Sequence, residues 1–281
     1  MTSQELASYY DNLALRRPAF QRANSYYHAL VERQYRYFIP EGKRVLEIGC
    51  SAGDLLAALR PSYGVGVDLS PRTVELARTR HPGLRFVAGS LQDLPGDEKF
   101  DYVILSGLLG ELEDVEAFLK DLRRHCTRDT RVIIEYYSYF WQTILGAGQK
   151  LGLKMPQPEQ NWLTAADITN LLDLAGFEAV KKERCVLLPV WVPLISFLVN
   201  KFLAKLPVLN AFTLSHFIVA RPLFDHARDF SVTVLVPCRN EKGNIEAAIT
   251  RTPAFGAKQE FIFVEGHSSD GTYEEVERVM T

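Results

Sequence analysis

A carboxylate and two glycines stand close together in the run Glu47-Ile-Gly-Cys-Ser-Ala-Gly53, at the junction of a short apolar strand and a helix. A glycine turn there lets the backbone approach a ligand closely, and the helix start beyond it presents N–H groups without intrahelical partners. Asp68 follows nineteen residues after Gly49, at the end of Gly-Val-Gly-Val-Asp-Leu-Ser-Pro. An acid at the end of a second strand is placed to accept hydrogen bonds from both hydroxyls of a ribose. The turn and the acid together describe a nucleoside site. Two other chemistries share some of these letters. A dinucleotide site requires G-x-G-x-x-G, and the Gly49–Gly53 spacing does not supply it. The nucleophile elbow G-x-S-x-G matches literally, with Ser51 as nucleophile, but that elbow follows several strands and an oxyanion loop, and only one strand precedes Gly49. A turn that serves packing alone would not call for Asp68.

These residues need a scaffold, and the chain alternates strand and helix patterns from Arg44 onward. Residues 44–49, 64–67, 84–89, 101–106 and 131–137 read as strands; residues 54–60, 71–80 and 114–125 between them carry helical spacing of apolar residues. Such alternation implies a parallel sheet with helices on both faces, and the continuous apolar run Tyr-Val-Ile-Leu fits a strand buried on both sides. Residues 1–43 read as a helical, aromatic-rich N-terminal cap. After strand five come a helix at 165–177, a strand from Phe177, an apolar insertion at 189–212 and a strand at 214–221. Two strands flanking an insertion without a normal crossover predict an antiparallel hairpin. The expected organisation is a cap (1–43), a Rossmann-like, doubly wound, mainly parallel seven-stranded sheet (44–221), a linker (222–230) and a short βαβα unit (231–281).

Composition excludes several classes. The 281 residues carry 32 Lys+Arg and 34 Asp+Glu, a net charge of −2, which offers no basic footprint for nucleic acid. The four cysteines are scattered, with neither zinc spacing nor a disulfide framework, and the N-terminus lacks a signal-peptide pattern. A cytoplasmic protein, associated with a membrane if the insertion docks there, is expected. No metal site is expected.

Glu-Ile-Gly-Cys-Ser-Ala-Gly followed by Gly-Val-Asp-Leu-Ser-Pro resembles the class I S-adenosylmethionine-dependent methyltransferases. The first motif of that family is acidic-x-Gly-x-Gly-x-Gly; Glu47, Gly49 and Gly53 match, and Ser51 stands where a glycine is usual. Asp68 matches the family's ribose-binding acid. Phe86–Pro95 resembles the third motif, with Ser90 in place of the common Asp, and residues 100–112 resemble the fourth. The resemblance implies S-adenosylmethionine as cofactor, held by Glu47, Gly49, Cys50, Ser51, Gly53, Asp68, Leu69, Ser90, Leu91 and Ser106. Glu47 would receive the ammonium through water or backbone. Asp93 and Glu113 are assigned surface roles. The base is open: Glu135, closing strand five with Tyr136 and Tyr137, either takes a proton from a hydroxyl or merely lines the pocket, and His28 either covers the cofactor or sits on a helix surface.

Residues 231–281 resemble the start of a family 2 glycosyltransferase. Pro237, Asn240 and Glu241 match its first strand end, and Glu265, Ser268, Asp270, Gly271 and Thr272 match its second. The resemblance implies a truncated nucleotide-sugar-binding unit without its metal-binding and catalytic residues, so no sugar transfer is expected; turn formation is the plainer role for the same residues. The leading expectation is O-methylation of a small molecule, glycan or lipid-linked sugar. A degenerate scaffold that positions a partner glycosyltransferase is the alternative. The insertion at 189–212, with Lys201 and Lys205 between apolar residues, reads either as a lid or homodimer contact or as a contact with a membrane or lipid-linked substrate.

Overall fold

The computed structural model describes residues 2–158, 161–224 and 230–280. The chain divides into two compact units, residues 1–223 and 224–281. The first unit begins with three helices, α1 (Ser3–Leu13), α2 (Arg17–Ala23) and α3 (Ser25–Phe38). There follow β1 (Arg44–Ile48), α4 (Asp54–Ala58), β2 (Tyr63–Asp68), α5 (Pro71–Arg80), β3 (Arg85–Ala88), β4 (Phe100–Ser106), α6 (Val115–Leu122) and β5 (Cys126–Tyr137). The unit closes with α7 (Gln142–Lys150), α8 (Ala165–Leu174), β6 (Phe177–Cys185), α9 (Ile195–Lys201), α10 (Pro207–Asn210) and β7 (Ser215–Pro222).

The seven strands form one sheet in the order β3-β2-β1-β4-β5-β7-β6. β1 to β5 pair in parallel, and β7 pairs antiparallel with both β5 and β6. The hairpin of β6 and β7 around an insertion is thus present, with β7 slotted inside β6. The strand order reverses between β1 and β4, and ligands of open parallel sheets bind at the carboxyl ends beside such a switch point. Register fixes which residues meet there: Ser106 at the end of β4 is level with Glu135 on β5.

Local signals set the helix starts. Ser70 caps α5, its hydroxyl accepting from the Thr73 N–H at 3.1 Å, with Pro71 opening the first turn. Thr2 and Glu5 form a capping box on α1, and Thr164 and Asp167 another on α8. Helix α3 packs directly on the sheet. Its Val31 and Tyr35, with Ile39 just beyond its end, pack with Val45, Ile104, Ile133 and Phe217 of the sheet, and the Tyr35 and Phe217 rings meet edge to face at 5.2 Å. Burying each such side chain stabilises the fold by roughly 1.5–3 kcal/mol. Helix α1 is tied to the start of α5, where Asp11 accepts from the Ser70 hydroxyl and from the Arg72 N–H at 3.2 Å.

The expected linker at 222–230 falls mostly outside the described residues, and β7 runs on to Pro222. The second unit contains β8 (Ser231–Cys238), α11 (Ile245–Thr250), β9 (Lys258–Glu265) and α12 (Thr272–Met280), with β8 and β9 paired in parallel. Its small core is Cys238, Ile245 and Val276, flanked by Phe263 and Val279. No described helix in either unit is long and apolar enough to cross a membrane.

Candidate active site

At the carboxyl ends of β1, β2, β4 and β5 lies a cavity of about 580 Å³, within the range of small-molecule sites. Helices α1 to α3 supply one wall, including Tyr10, Arg17, Tyr27 and His28.

Gly49 lines the cavity at φ +74°, a left-handed conformation that suits glycine. Its N–H and that of Cys50 both donate to the Val67 carbonyl, at 2.8 and 3.0 Å. Gly53 is fixed by packing, because a Cβ there would lie 2.5 Å from the Phe86 ring. Glu47, Cys50, Ser51 and Gly53 are not among the cavity-lining residues. They sit beneath it and shape the turn, and Cys50 fills the space that Gly66 leaves beside its sulfur. Of the turn residues expected to hold the cofactor, Gly49 lines the cavity, Cys50, Ser51 and Gly53 do not, and Glu47, expected to act through water or backbone, lies behind them.

Ser51 adopts φ +53°, so the chain demands glycine-like geometry at the position where the sequence carries serine. Its hydroxyl is buried and has no hydrogen-bond partner. The Ser51 N–H donates to Asp68 Oδ2 at 2.8 Å, and the Ser70 N–H donates to Oδ1 at 3.0 Å. Asp68 at the end of β2 is therefore tied to the loops on either side. It staples the glycine turn to the start of α5, and burial raises its pKa against the pull of those two N–H groups. Each carboxylate oxygen keeps a lone pair for a further donor. Leu69, Ser90 and Leu91 line the same end of the cavity.

Asp93 is exposed, as expected, and shapes the loop beside it. Its Oδ2 accepts from the Ser90 N–H at 2.7 Å and closes a capping box on the 3-10 turn Leu91–Asp93, holding the loop after β3 in place. Glu113 also lines the cavity.

Glu135 is buried at the opposite end of the cavity among hydroxyls. Tyr27 donates to its Oε1 at 3.2 Å and Ser106 to its Oε2 at 3.3 Å, while the Tyr27 and Ser215 hydroxyls lie 3.0 Å apart. Burial raises its pKa, and Ser215, Tyr27 and Ser106 oppose the rise. His28 lines the cavity from α3 and is also solvent-exposed on that helix; desolvation, then the charge of Arg17, lowers its pKa. Lys154, beside Gln157, is pushed down to about 8 by burial, against the pull of Glu111 and Glu135. Tyr10 donates to Glu111 Oε1 at 2.5 Å and ties α1 to the loop after β4.

Sequence reasoning missed Arg17, Tyr10, Tyr27 and Ser215. Arg17 lines the cavity, and its charge acts on Glu47, Asp68, His28 and Tyr10 together. Nothing in Leu-Arg-Arg-Pro-Ala-Phe marks it, because helices distant in sequence bring it to the strand ends.

Glu47 is 3% exposed, its Oε2 has no partner, and burial pushes its pKa up to about 8. A buried, unpaired acceptor beside a cavity calls for a cation or proton. Together with the lone pairs left on Asp68, it fits a ligand that carries both an ammonium group and a ribose.

The parallel sheet with its β7 hairpin, glycine turn and strand-end acid makes a Rossmann-like fold suited to a nucleoside ligand. The methyltransferase domain model matches residues 19–182, more than half of the chain. The chain belongs to the methyltransferase domain family and is an enzyme of that class. The fold is shared with the Haloferax volcanii partner of the Trm112 methyltransferase activator, at 17% identity and TM-score 0.58, covering 78% of this chain and 98% of that one. It is also shared with an S-adenosylmethionine-dependent methyltransferase of Thermotoga maritima, at 16% identity and TM-score 0.57, covering 77% and 98%. Among curated relatives, a phthiotriol/phenolphthiotriol dimycocerosates methyltransferase of Mycobacterium leprae is 46% identical over 70 residues, 22% of this chain and 26% of that protein. A fatty-acid O-methyltransferase of Mycolicibacterium smegmatis is 45% identical over 71 residues, 23% and 26% of the two chains. The chain thus spans about a quarter of the length of these relatives.

Proposed function

We propose that the protein methylates a hydroxyl oxygen of a lipid or lipid-linked acceptor, with Glu135 as general base. The observation that carries this is Glu135 itself, a buried carboxylate on the cavity wall, level with Ser106 and bracketed by the hydroxyls of Tyr27, Ser106 and Ser215. When bound, the cofactor supplies an electrophilic methyl group on a sulfonium leaving group, so the protein's task is positioning and proton removal. Asp68 would hold the ribose, Glu47 the ammonium and Arg17 the carboxylate, with Gly49, Leu69, Ser90 and Leu91 as walls. Glu135 would take the acceptor's proton while the Tyr27 and Ser106 hydroxyls hold the carboxylate in place. The lipid character of the acceptor is supported by the names of the two mycobacterial relatives.

The same reading treats residues 231–281 as the opening βαβα segment of a nucleotide-sugar-binding unit without sugar transfer. The parallel pairing of β8 and β9 supports that topology. The polar residues at the strand ends are occupied by their own loops. Glu265 accepts from the His267 and Ser268 N–H groups, Asp270 from those of Lys242 and Thr272, and Asn240 from that of Ser269. Glu241 donates its N–H to Thr272, and Pro237 is exposed. Shaping these turns is the role we assign them.

The test is transfer of a labelled methyl group to a panel of hydroxyl-bearing lipids. Wild type should label one acceptor, with turnover rising as pH rises through the Glu135 pKa. Glu135→Gln should lower turnover at least ~100-fold and leave S-adenosylhomocysteine affinity unchanged. Full turnover by the variant would refute the base, and labelling of no lipid hydroxyl would refute the acceptor class.

A further inference from the structure

Two insertions on the first unit expose large apolar side chains. In the first, residues 139–153 around α7, Tyr139, Phe140, Ile144, Leu151 and Leu153 are exposed. In the second, residues 190–212 around α9 and α10, Trp191, Leu194, Phe197, Phe202, Leu206 and Val208 are exposed, Leu194 at 75%. The segments meet where the Phe140 and Phe212 rings pack edge to face at 4.7 Å and Trp141 Nε1 donates to the Phe212 carbonyl at 2.8 Å. The second is anchored to α3, with Trp191 packed on Tyr26 at 5.1 Å and Asn200 donating to the Tyr26 hydroxyl at 3.1 Å. Together these side chains expose on the order of 1,000 Å² of apolar surface, against ~300–600 Å² for the largest patch of a typical monomer.

Charge decides what covers it. There is no Asp or Glu between Tyr136 and Pro158, nor between Val186 and Leu214, while Lys150, Lys201 and Lys205 are exposed. Lys201 lies over the Phe197 and Phe202 rings, 4.9 and 5.5 Å from their centroids. In a twofold dimer the same patch would face itself and set lysines against lysines, with no carboxylate in either segment to pair them. Aromatic rings mixed with lysines suit a bilayer interface, where the rings sit at headgroup depth and the ammonium groups meet anionic lipid.

We propose that the face formed by residues 139–153 and 190–212 rests on an anionic bilayer surface. Trp191, Phe197 and Phe202 enter the interface, and Lys150, Lys201 and Lys205 engage the headgroups. Met155 and Gln157, just beyond the first segment, line the cavity. If the acceptor is lipid-borne, as the function proposed above has it, the same face delivers it to the cavity; the docking itself does not depend on that reading.

The experiment is sedimentation of the full chain with vesicles of phosphatidylcholine alone or mixed three to one with phosphatidylglycerol. Wild type should bind the anionic vesicles at least ~10-fold more tightly, and salt should weaken that binding. Lys201→Glu/Lys205→Glu and Phe197→Ser/Phe202→Ser should each reduce it at least ~10-fold while S-adenosylhomocysteine affinity stays at the wild-type value, which shows the fold intact. The proposal is overturned if wild type binds neither vesicle, if both variants bind as wild type does, or if the chain dimerises in buffer and Phe197→Ser/Phe202→Ser dissolves the dimer. Absent vesicle binding with intact cofactor affinity overturns the docking alone; a lost cofactor site would leave vesicle binding unaffected.

Discussion

Replacing Glu47 by Gln should flatten the protein's pH dependence. Glu47 is buried, its Oε2 lacks a partner, and its pKa stands at about 8 against an ordinary 4.5. Desolvation is the main cause, tempered by the Leu56 N–H and Arg17 and reinforced by Asp68 and Asp54. A raised carboxylate pKa means that, between 4.5 and about 8, the folded state keeps a proton that the unfolded state has released. Stability therefore falls as pH rises through that window, and the loss is complete above it. Over the interval from pH 5.5 to 8.5, Glu47 alone should cost about 3 kcal/mol, at ~1.4 kcal/mol per pH unit until its pKa is passed. Asp68 and Glu135 are shifted in the same direction but are common to both proteins, so the comparison isolates Glu47. The assay is urea unfolding followed by tryptophan fluorescence, since Trp141, Trp162 and Trp191 all lie in the first unit. Wild type should lose about 3 kcal/mol more than Glu47→Gln between the two pH values. Its affinity for S-adenosylhomocysteine should also tighten with pH up to about 8, because the ligand's ammonium favours the ionised carboxylate, whereas the variant should bind weakly without that trend. Equal pH dependence of stability in the two proteins would refute the account, for it would mean that Glu47 carries no extra proton in the folded state.

Ser51→Gly should stabilise the protein by about 1 kcal/mol, because it relieves a left-handed residue and removes an unpaired buried hydroxyl; a lower urea midpoint would show that the hydroxyl has a partner. Asp68→Ala should weaken cofactor binding by roughly 2–4 kcal/mol and the fold by roughly 1–2 kcal/mol, since the Ser51 and Ser70 N–H groups lose their acceptor. Unchanged affinity in calorimetry would rule out the ribose role, and unchanged stability would rule out the staple. Deleting residues 231–281 should leave cofactor affinity intact, because every residue assigned to the cofactor lies in the first unit; loss of binding would contradict that independence.

Strand–helix alternation and the glycine turn were legible because they follow from local rules: a parallel sheet forces crossover helices, and a close backbone approach forces glycine. On that basis the chain by itself specified the parallel sheet, the β6–β7 hairpin and the glycine turn beside Asp68; Leu69, Ser90, Leu91 and Ser106 came only from the family resemblance, and they line one cavity with Gly49, Asp68 and Glu135. The sequence could not show that Ser51 is held in glycine geometry, since serine carries no mark of its φ angle. Nor could it show that Asp68 and Asp93 act first as loop staples, because hydrogen-bond partners are chosen by spatial neighbours. Arg17, Tyr10, Tyr27 and Ser215 reach the site from distant elements, Tyr27 and Ser215 meeting across 188 residues of sequence, brought together by the packing of α3 on the sheet and the reversal of chain direction in β7. Local pattern fixes the backbone and the residues rooted in it. Which distant side chains converge on the strand ends, and which protons they hold there, is decided by burial, which exists only once the chain has folded.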